Sequence, residues 1–392
     1  MISVHSTLNL SKQLSYQFLS IFMRLLGASG FLVGLLTSVQ NISQTFLQGI
    51  FGRLSDLYGR KKFLFIGFTL SGITFIVAAM SRSPLELLTM AFLNGVAFSI
   101  LSPSWEGSIG DNTEKTTRGK VIGKLNSAAT YYAALVIFLI GVFSLSLSND
   151  QEILGYRIIV AFSGLNFLLG ALLSRKVETP QIAEKQKRLS LFEPLKDRVF
   201  LKFLIFIHLW WFTMSIAWSY FPIYFSDVLQ LNIFQVGLVN SVFSLTMGVV
   251  ANYFGPIIDK KGPKFALVVG FGTFWVFPLI LALTHNFTLV VLANITAGFS
   301  LGVGIPAIQS YVIEVAGPER TGQYSGTYYF TWGLVTFVGS LTGGYIFDIL
   351  NLQFGSSITL AYLFIGVAVL RLLTGVLLVF IHNTRTLDKF ES

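Results

Sequence analysis

Gly52-Arg-Leu-Ser-Asp56-Leu-Tyr-Gly59-Arg60-Lys61 returns later in the chain as Gly255-Pro-Ile-Ile-Asp259-Lys-Lys-Gly262-Pro263-Lys264. The displacement, from residue 52 to residue 255, is 203 positions, and it holds well outside the motif. Val33-Gly34-Leu35 maps onto Val236-Gly237-Leu238, Gly67 onto Gly270, Gly95 onto Gly298, Pro103 onto Pro306 and Gly119 onto Gly322. A constant offset with no net insertion means two structurally equivalent halves. In a chain this apolar, that duplication points to a membrane transporter.

Composition sets the solvent. The chain is 53% hydrophobic and 11% charged, with a mean hydropathy of +0.71, whereas a soluble domain carries about 25% charged residues. Runs such as Phe63–Met80, Ala266–Leu283 and Leu360–Ile381 approach or exceed the ~20 residues a helix needs to cross a bilayer. They do not alternate as the strands of a membrane barrel would. The first apolar segment lacks a basic leader and a cleavage site, so it reads as a span and not as a signal peptide. Twelve spans are predicted, near 2–25, 31–52, 63–81, 85–109, 121–147, 156–174, 201–226, 233–255, 265–284, 288–313, 324–348 and 357–381. The predicted fold is an all-α membrane protein whose twelve transmembrane helices form two pseudo-symmetric six-helix bundles. Residues 1–174 make the first bundle, 175–200 a cytoplasmic linker and 201–392 the second bundle.

The net charge of +9 is explained by topology. With the N-terminus inside, the inner loops and tail hold 21 of the 27 Lys and Arg, and the outer side has Arg24, Arg82 and Arg157. That bias predicts a multi-pass plasma-membrane protein with both termini cytoplasmic, and it removes the reason to invoke nucleic acid. The linker is either a solvated connector or, over 182–192, a short amphipathic helix on the inner leaflet. There is no cysteine, which excludes disulfides and thiolate metal sites. Four scattered histidines give no metal-ligand pattern, so neither metal nor cofactor is expected. The absence of a phosphate-binding Gly-x-x-x-x-Gly-Lys-Ser/Thr loop argues against ATP hydrolysis and for an ion or solute gradient as the energy source.

Twelve spans, the doubled half, the basic central loop and the Gly52–Lys61 motif together resemble the major facilitator superfamily, over essentially the whole chain. Leu26-Gly-Ala-Ser29, Pro103 and the stretch from Asp111 to Arg118-Gly119 agree with the pattern. The resemblance implies alternating access by rocking of one bundle against the other around a central cavity lined by spans one, two, four and five of each half. It also implies a latch on the inner side. Gly52 and Gly59 would allow close approach and a tight turn, Asp56 would meet the N-terminus of span eleven, and Arg60 would bridge Asp56 to Asp111. Asp259, Gly262 and Glu314 are the second-half counterparts, with Pro263 replacing the arginine. The alternative is that these are ordinary loop charges. Two family features are missing: Ala91 stands where many proton-coupled members have arginine, and span five lacks the Gly-Pro motif of drug antiporters.

Charges within the membrane are costly, so each is a functional suspect. Lys12 in span one and Glu106 in span four are predicted to form a cavity ion pair or to contact substrate separately, with Glu106 also a candidate for protonation. Gln13 and Gln17, with Asn9 and Ser20, form a polar stripe on span one. Such a stripe lines a cavity or bonds between helices. Asn126 in span five, Gln309 (the repeat equivalent of Glu106) and the deep tryptophans Trp218 and Trp332 complete the candidate substrate and coupling residues. Arg371 in span twelve reads as an interface or snorkelling residue, and Asp227 and Asp348 as solvated helix ends. The expected function is secondary active transport of a small organic solute, proton-coupled, by a monomer in the lipid bilayer, and not an enzymatic one. The alternatives are multidrug-type efflux of amphipathic compounds, or a transporter-like sensor that binds without flux.

Overall fold

The structure, a computed structural model, describes residues 1–113, 118–146, 151–177 and 192–384. Twelve long helices run α1 Ile2–Leu25, α2 Gly30–Tyr58, α3 Arg60–Ala79, α4 Pro84–Asp111, α5 Arg118–Ser144 and α6 Glu152–Ser174 in the first half. They continue as α7 Arg198–Val228, α8 Ile233–Lys261, α9 Pro263–Leu283, α10 Phe287–Gly317, α11 Arg320–Phe354 and α12 Ser356–Phe380 in the second. The predicted all-α, twelve-helix fold is present. The possible helix at 182–192 falls almost wholly outside the described residues.

Ten of the helices are long and apolar enough to cross a membrane by themselves. α1 and α2 have the length but carry polar stripes, and those stripes are buried against protein: Ser11, Ser15, Gln40, Asn41 and Thr45 are all buried. A polar face on a membrane helix is tolerated where it meets other helices or a cavity.

The segment expected to be a polar loop at 53–62 is nearly all helix. α2 continues to Tyr58 and α3 starts at Arg60, leaving Gly59 alone as the turn, at φ +96°. The same turn recurs at Gly262, φ +89°. Only a residue without a Cβ takes that conformation cheaply, which is the physical content of the two glycines shared by the repeats.

We call the side bearing residue 2, these two turns and the end of α12 the terminal face. At the opposite face the halves press together through α2 and α11. An added Cβ at Gly34 would land on the Ser340 carbonyl, and one at Gly344 on the carbonyl of Gly30. An adjoining face of α11 is tight against α7, where a Cβ at Gly343 would meet the Ile216 carbonyl. α11 is therefore a glycine-lined helix held between one helix of each half, the close approach that small residues permit in membranes. The second seam joins α5 to α8: Gly237 packs on Ile137, and Ser127 Oγ donates to Asn252 Oδ1 at 2.6 Å.

Two prolines shape the core. Pro222 in α7 and Pro278 in α9 lack the N–H that would bond the carbonyls of Trp218 and Phe274. α7 accordingly tightens to a 3-10 turn at Ala217–Ser219 and loosens to a π turn at Tyr224–Val228. α9 breaks between Thr273 and Val276. Both irregular turns face the central cavity.

Gly344→Ala tests the α2–α11 contact. Alanine is the better helix former, yet overpacking should lower stability by about 1–3 kcal/mol. Gly366→Ala, where a Cβ meets nothing within 4 Å, should be neutral or stabilising. Thermal unfolding in detergent reads both; equal effects at the two sites would contradict the contact.

Candidate functional site

The candidate site has two parts, an aromatic cavity and a cluster of polar side chains. The deeper is a cavity of about 390 Å³ between mid-depth and the face opposite the termini. Ser20 and Ile21 of α1 and Thr37 of α2 form its first-half wall, and α7 to α11 supply the rest. Trp211, Trp218 and Trp332 are packed edge-on, with Trp332 5.8 Å from Trp211 and 6.3 Å from Trp218 between ring centroids. Phe221, Phe243, Phe274 and Phe277 complete an aromatic lining. Its polar points are few. Asn240 and Asn294 each donate their amide at 2.9 Å to the carbonyl four residues back, Val236 and Val290. Their carbonyl oxygens are left as acceptors for whatever occupies the cavity.

The second part, the vestibule, is a group of polar side chains nearer the terminal face, with Glu106, Asn126 and Gln309 exposed. Trp105 Nε1 donates to His5 Nδ1 at 2.9 Å, and His5 Nε2 is 2.9 Å from Asn126 Oδ1. Indole can only donate and the amide oxygen can only accept, so the imidazole is the neutral Nε2–H tautomer. Glu106, on the same helix as Trp105, is exposed to the vestibule. It is within electrostatic reach of the Lys12 ammonium and of the neutral Tyr329 phenol. Tyr329, the repeat equivalent of Asn126, is hydrogen bonded to Gln309, the repeat equivalent of Glu106. The pseudo-symmetry thus brings matched positions of the two halves into one polar group.

The structure separates the predicted residues into these two groups. Lys12, Glu106, Asn126 and Gln309 belong to the vestibule, whereas Trp218 and Trp332 line the aromatic cavity. Gln13 lies at the seam between halves, accepting from Ser244 Oγ of α8 at 2.7 Å while donating to Asn9 at 2.8 Å. The Gln17 side chain lies outside the described residues. The expected contact ion pair is not formed: Lys12 sits with Nζ 5.2 Å from the centre of the Phe98 ring instead. The ring face attracts the ammonium electrostatically, without a directly bonded carboxylate.

Around the motif, Arg60 Nη1 bonds Asp111 Oδ1 at 2.9 Å. Gly107, which the sequence did not mark out, makes room for it, since a Cβ there would strike the guanidinium. Gly52 packs next to Pro103 with ordinary clearance, so its close approach is within the first half. The Asp56 side chain is outside the described residues. In the second half, Asp259 has interaction partners of its own, and Glu314 accepts from Thr384 at the end of α12. With Pro263 in place of the arginine, the acid is satisfied by a hydroxyl.

Two acids read as solvated helix ends are in fact inter-half contacts. Arg24 grips Asp227 through Nε, at 3.1 Å, and through Nη2. These two residues are repeat equivalents, 203 positions apart, so the pair spans the pseudo-two-fold axis. Asp348 of α11 accepts from the amides of Gly30 and Phe31 at 2.7 and 2.9 Å. A carboxylate on a helix N-terminus is stabilised by orphan amides and the helix dipole. The signal was available: unlike charges at matched repeat positions, and an acid near the start of a facing helix.

Two six-helix bundles, held together by polar contacts at one face, with an aromatic cavity between them and a polar cluster towards the other, define a membrane transporter. A profile of the Major Facilitator Superfamily matches residues 4–340, and again 211–391; the chain belongs to that family. An uncharacterized MFS-type transporter of Methanocaldococcus jannaschii is 24% identical over 346 residues, 85% of this chain and 86% of that protein. The quinolone resistance protein NorA of Staphylococcus aureus is 27% identical over 105 residues, 27% of each chain. Among solved structures, a mutant of the nucleoside transporter NupG superimposes with a TM-score of 0.75 at 15% identity, covering 96% of this chain and 98% of that one. A bacterial homologue of the human lysosomal transporter Spinster, inward-facing and unoccupied, gives 0.70 at 12% identity, covering 99% and 98%. At these identities the likeness is one of fold.

Reversing one charge, as Arg24→Asp or Asp227→Arg, should cost about 1.5–3 kcal/mol, as expected for hydrogen bonds to charged groups, and the double reversal should recover most of it. Thermal unfolding of the three variants checks this. A double variant no better than the sum of the singles would mean the pair does not hold the halves.

Proposed function

We propose that the protein moves a small organic solute by rocker-switch alternating access, with residues 1–174 and 201–392 as the rocking units and a proton as the coupling ion. The observation that carries the reading is the contrast between the two faces. Arg24–Asp227, Asp348 and the α2–α11 glycines close one side of the aromatic cavity, while the other side leads to the vestibule where Glu106 is exposed. The positive-inside bias makes the terminal face cytoplasmic, so this is the inward-open state of a plasma-membrane transporter working as a monomer. Rocking the other way would bring Asp56, Arg60 and Asp111 towards the end of α11 and latch the cytoplasmic side.

Glu106 is the proton-carrying residue in this scheme, and Lys12, within its electrostatic reach, responds to its charge. Gln13, Asn126 and Gln309 couple the vestibule to the helix seams, and Trp218 and Trp332 hold the solute. An aromatic lining with two free amide oxygens fits a ring-bearing solute with at least one hydrogen-bond donor. Efflux of amphipathic compounds is the second reading, favoured by the same lining and by the local similarity to a quinolone resistance protein.

The test begins with thermal unfolding of purified protein against sugars, amino acids, organic acids, nucleosides and amphipathic cations, since a ligand that binds the native state raises Tm by mass action. In proteoliposomes, the hit should accumulate against its gradient when a pH difference is imposed. Glu106→Gln should cut that accumulation at least tenfold while leaving solute exchange intact. Normal accumulation in both Glu106→Gln and Lys12→Met would refute the coupling role.

A further inference from the structure

Arg371 is a feature of the C-terminal half that neither the fold nor the coupling scheme uses. It lies in α12 and its side chain is fully buried, at 0% exposure, so of the two expected placements, helix interface or snorkelling to the membrane surface, it takes the first. Its guanidinium touches two side chains. Nη2 donates to Met214 Sδ at 3.1 Å, and the group lies 4.6 Å from the centre of the Phe274 ring. Nε and Nη1 have no hydrogen-bond partner. No charged group among the described residues acts on it electrostatically. An arginine cannot shed its proton to escape this, and a buried cation without a counter-charge is strongly unfavourable.

The doubled architecture supplies an internal control. The repeat equivalent of Arg371 is Leu168 of α6, which packs against Gly72. An apolar side chain serves that position in the first half, so the fold does not require a cation there.

The two residues that Arg371 touches, Met214 and Phe274, both line the aromatic cavity. The guanidinium therefore stands one side chain behind the cavity wall, with two unused donors. Methionine is unbranched and flexible, so Met214 is a wall element that can swing aside. In a site this apolar, the field of an unscreened cation reaches across the wall.

We propose that the cavity takes an aromatic organic monoanion whose carboxylate is the missing counter-charge of Arg371, the ring lying among Trp211, Trp218 and Trp332. This rests on the transporter reading of the same cavity and narrows its substrate class from a ring-bearing solute to an anionic one. Arginine suits the role because its planar fork matches a carboxylate in a bidentate contact.

Cinnamate and its neutral isostere cinnamamide separate the possibilities by isothermal titration calorimetry on the purified full-length protein. The wild type should bind cinnamate at least tenfold more tightly than cinnamamide. Arg371→Leu, the residue found at the equivalent position of α6, should bring that ratio to about one without changing cinnamamide affinity; Arg371→Met should do the same, and Arg371→Lys should keep part of the preference. A wild-type ratio near one would overturn the anionic class while leaving the cavity as a binding site, and this needs no variant. A preference that survives in Arg371→Leu or Arg371→Met would place the recognising cation elsewhere. Failure of both probes to bind would remove the cavity reading and this inference together.

Discussion

Where α2 meets α11, two helix backbones touch with almost no side chain between them, and a carboxylate of one helix closes the N-terminus of the other. Glycine at Gly30, Gly34 and Gly344 makes the approach possible, and Asp348 supplies the anion. In a bilayer there is no hydrophobic driving force between helices, so close packing and polar contacts must hold such a seam. The remaining features follow from it. The aromatic cavity lies below this closed face, and the polar vestibule lies on its other side. A contact made of discrete charges and flat backbone surface, not of interlocked side chains, is also one that can part cleanly.

The asymmetry between the halves is as informative as the repeat. Each half has the Gly59-type turn, but the Arg60–Asp111 bridge exists in the first half only, because Pro263 replaces the arginine. The vestibule charges Lys12 and Glu106 are in the first half, and the second-half equivalent of Glu106 is the neutral Gln309. The cavity wall is mainly second-half, and so is the isolated cation behind it. A duplicated scaffold has thus been divided between a charge-handling half and an aromatic one, and the chemistry of each part follows from substitutions at matched positions.

Much of the fold was legible in the sequence because it rests on local, additive signals: apolar length, the constant offset and the position of basic loops. The candidate site was legible in part. Lys12, Glu106, Trp218 and Trp332 stood out as unusual residues at membrane depth, and the structure shows them in the vestibule and the aromatic cavity. That they fall into two groups and not one could not be read, since it depends on the breaks at Pro222 and Pro278 and on how the two halves pack. Asp227 and Asp348 were misread for a related reason. A charge near a helix end is satisfied by water unless another helix end arrives there, and only the packing of the two halves brings it. Of the two readings open for Arg371, the packing of α12 selects the interface one, because snorkelling depends on a free path to the surface and the side chain is fully buried.

The central claim is that the inter-half contacts at one face and the opening at the other are two ends of one rigid motion. The cysteine-free chain permits site-directed spin labels without background. One pair at Arg82 and His285 and another at Tyr58 and Lys261, each pair related by the repeat, report the two faces. Pulsed electron–electron distance measurements would compare the parent with the Asp227→Asn/Asp348→Asn double variant. The account predicts that the Arg82–His285 distance lengthens while the Tyr58–Lys261 distance shortens in the same sample. A longer Arg82–His285 distance with no change at Tyr58–Lys261 would mean that the face merely frays, and would contradict it.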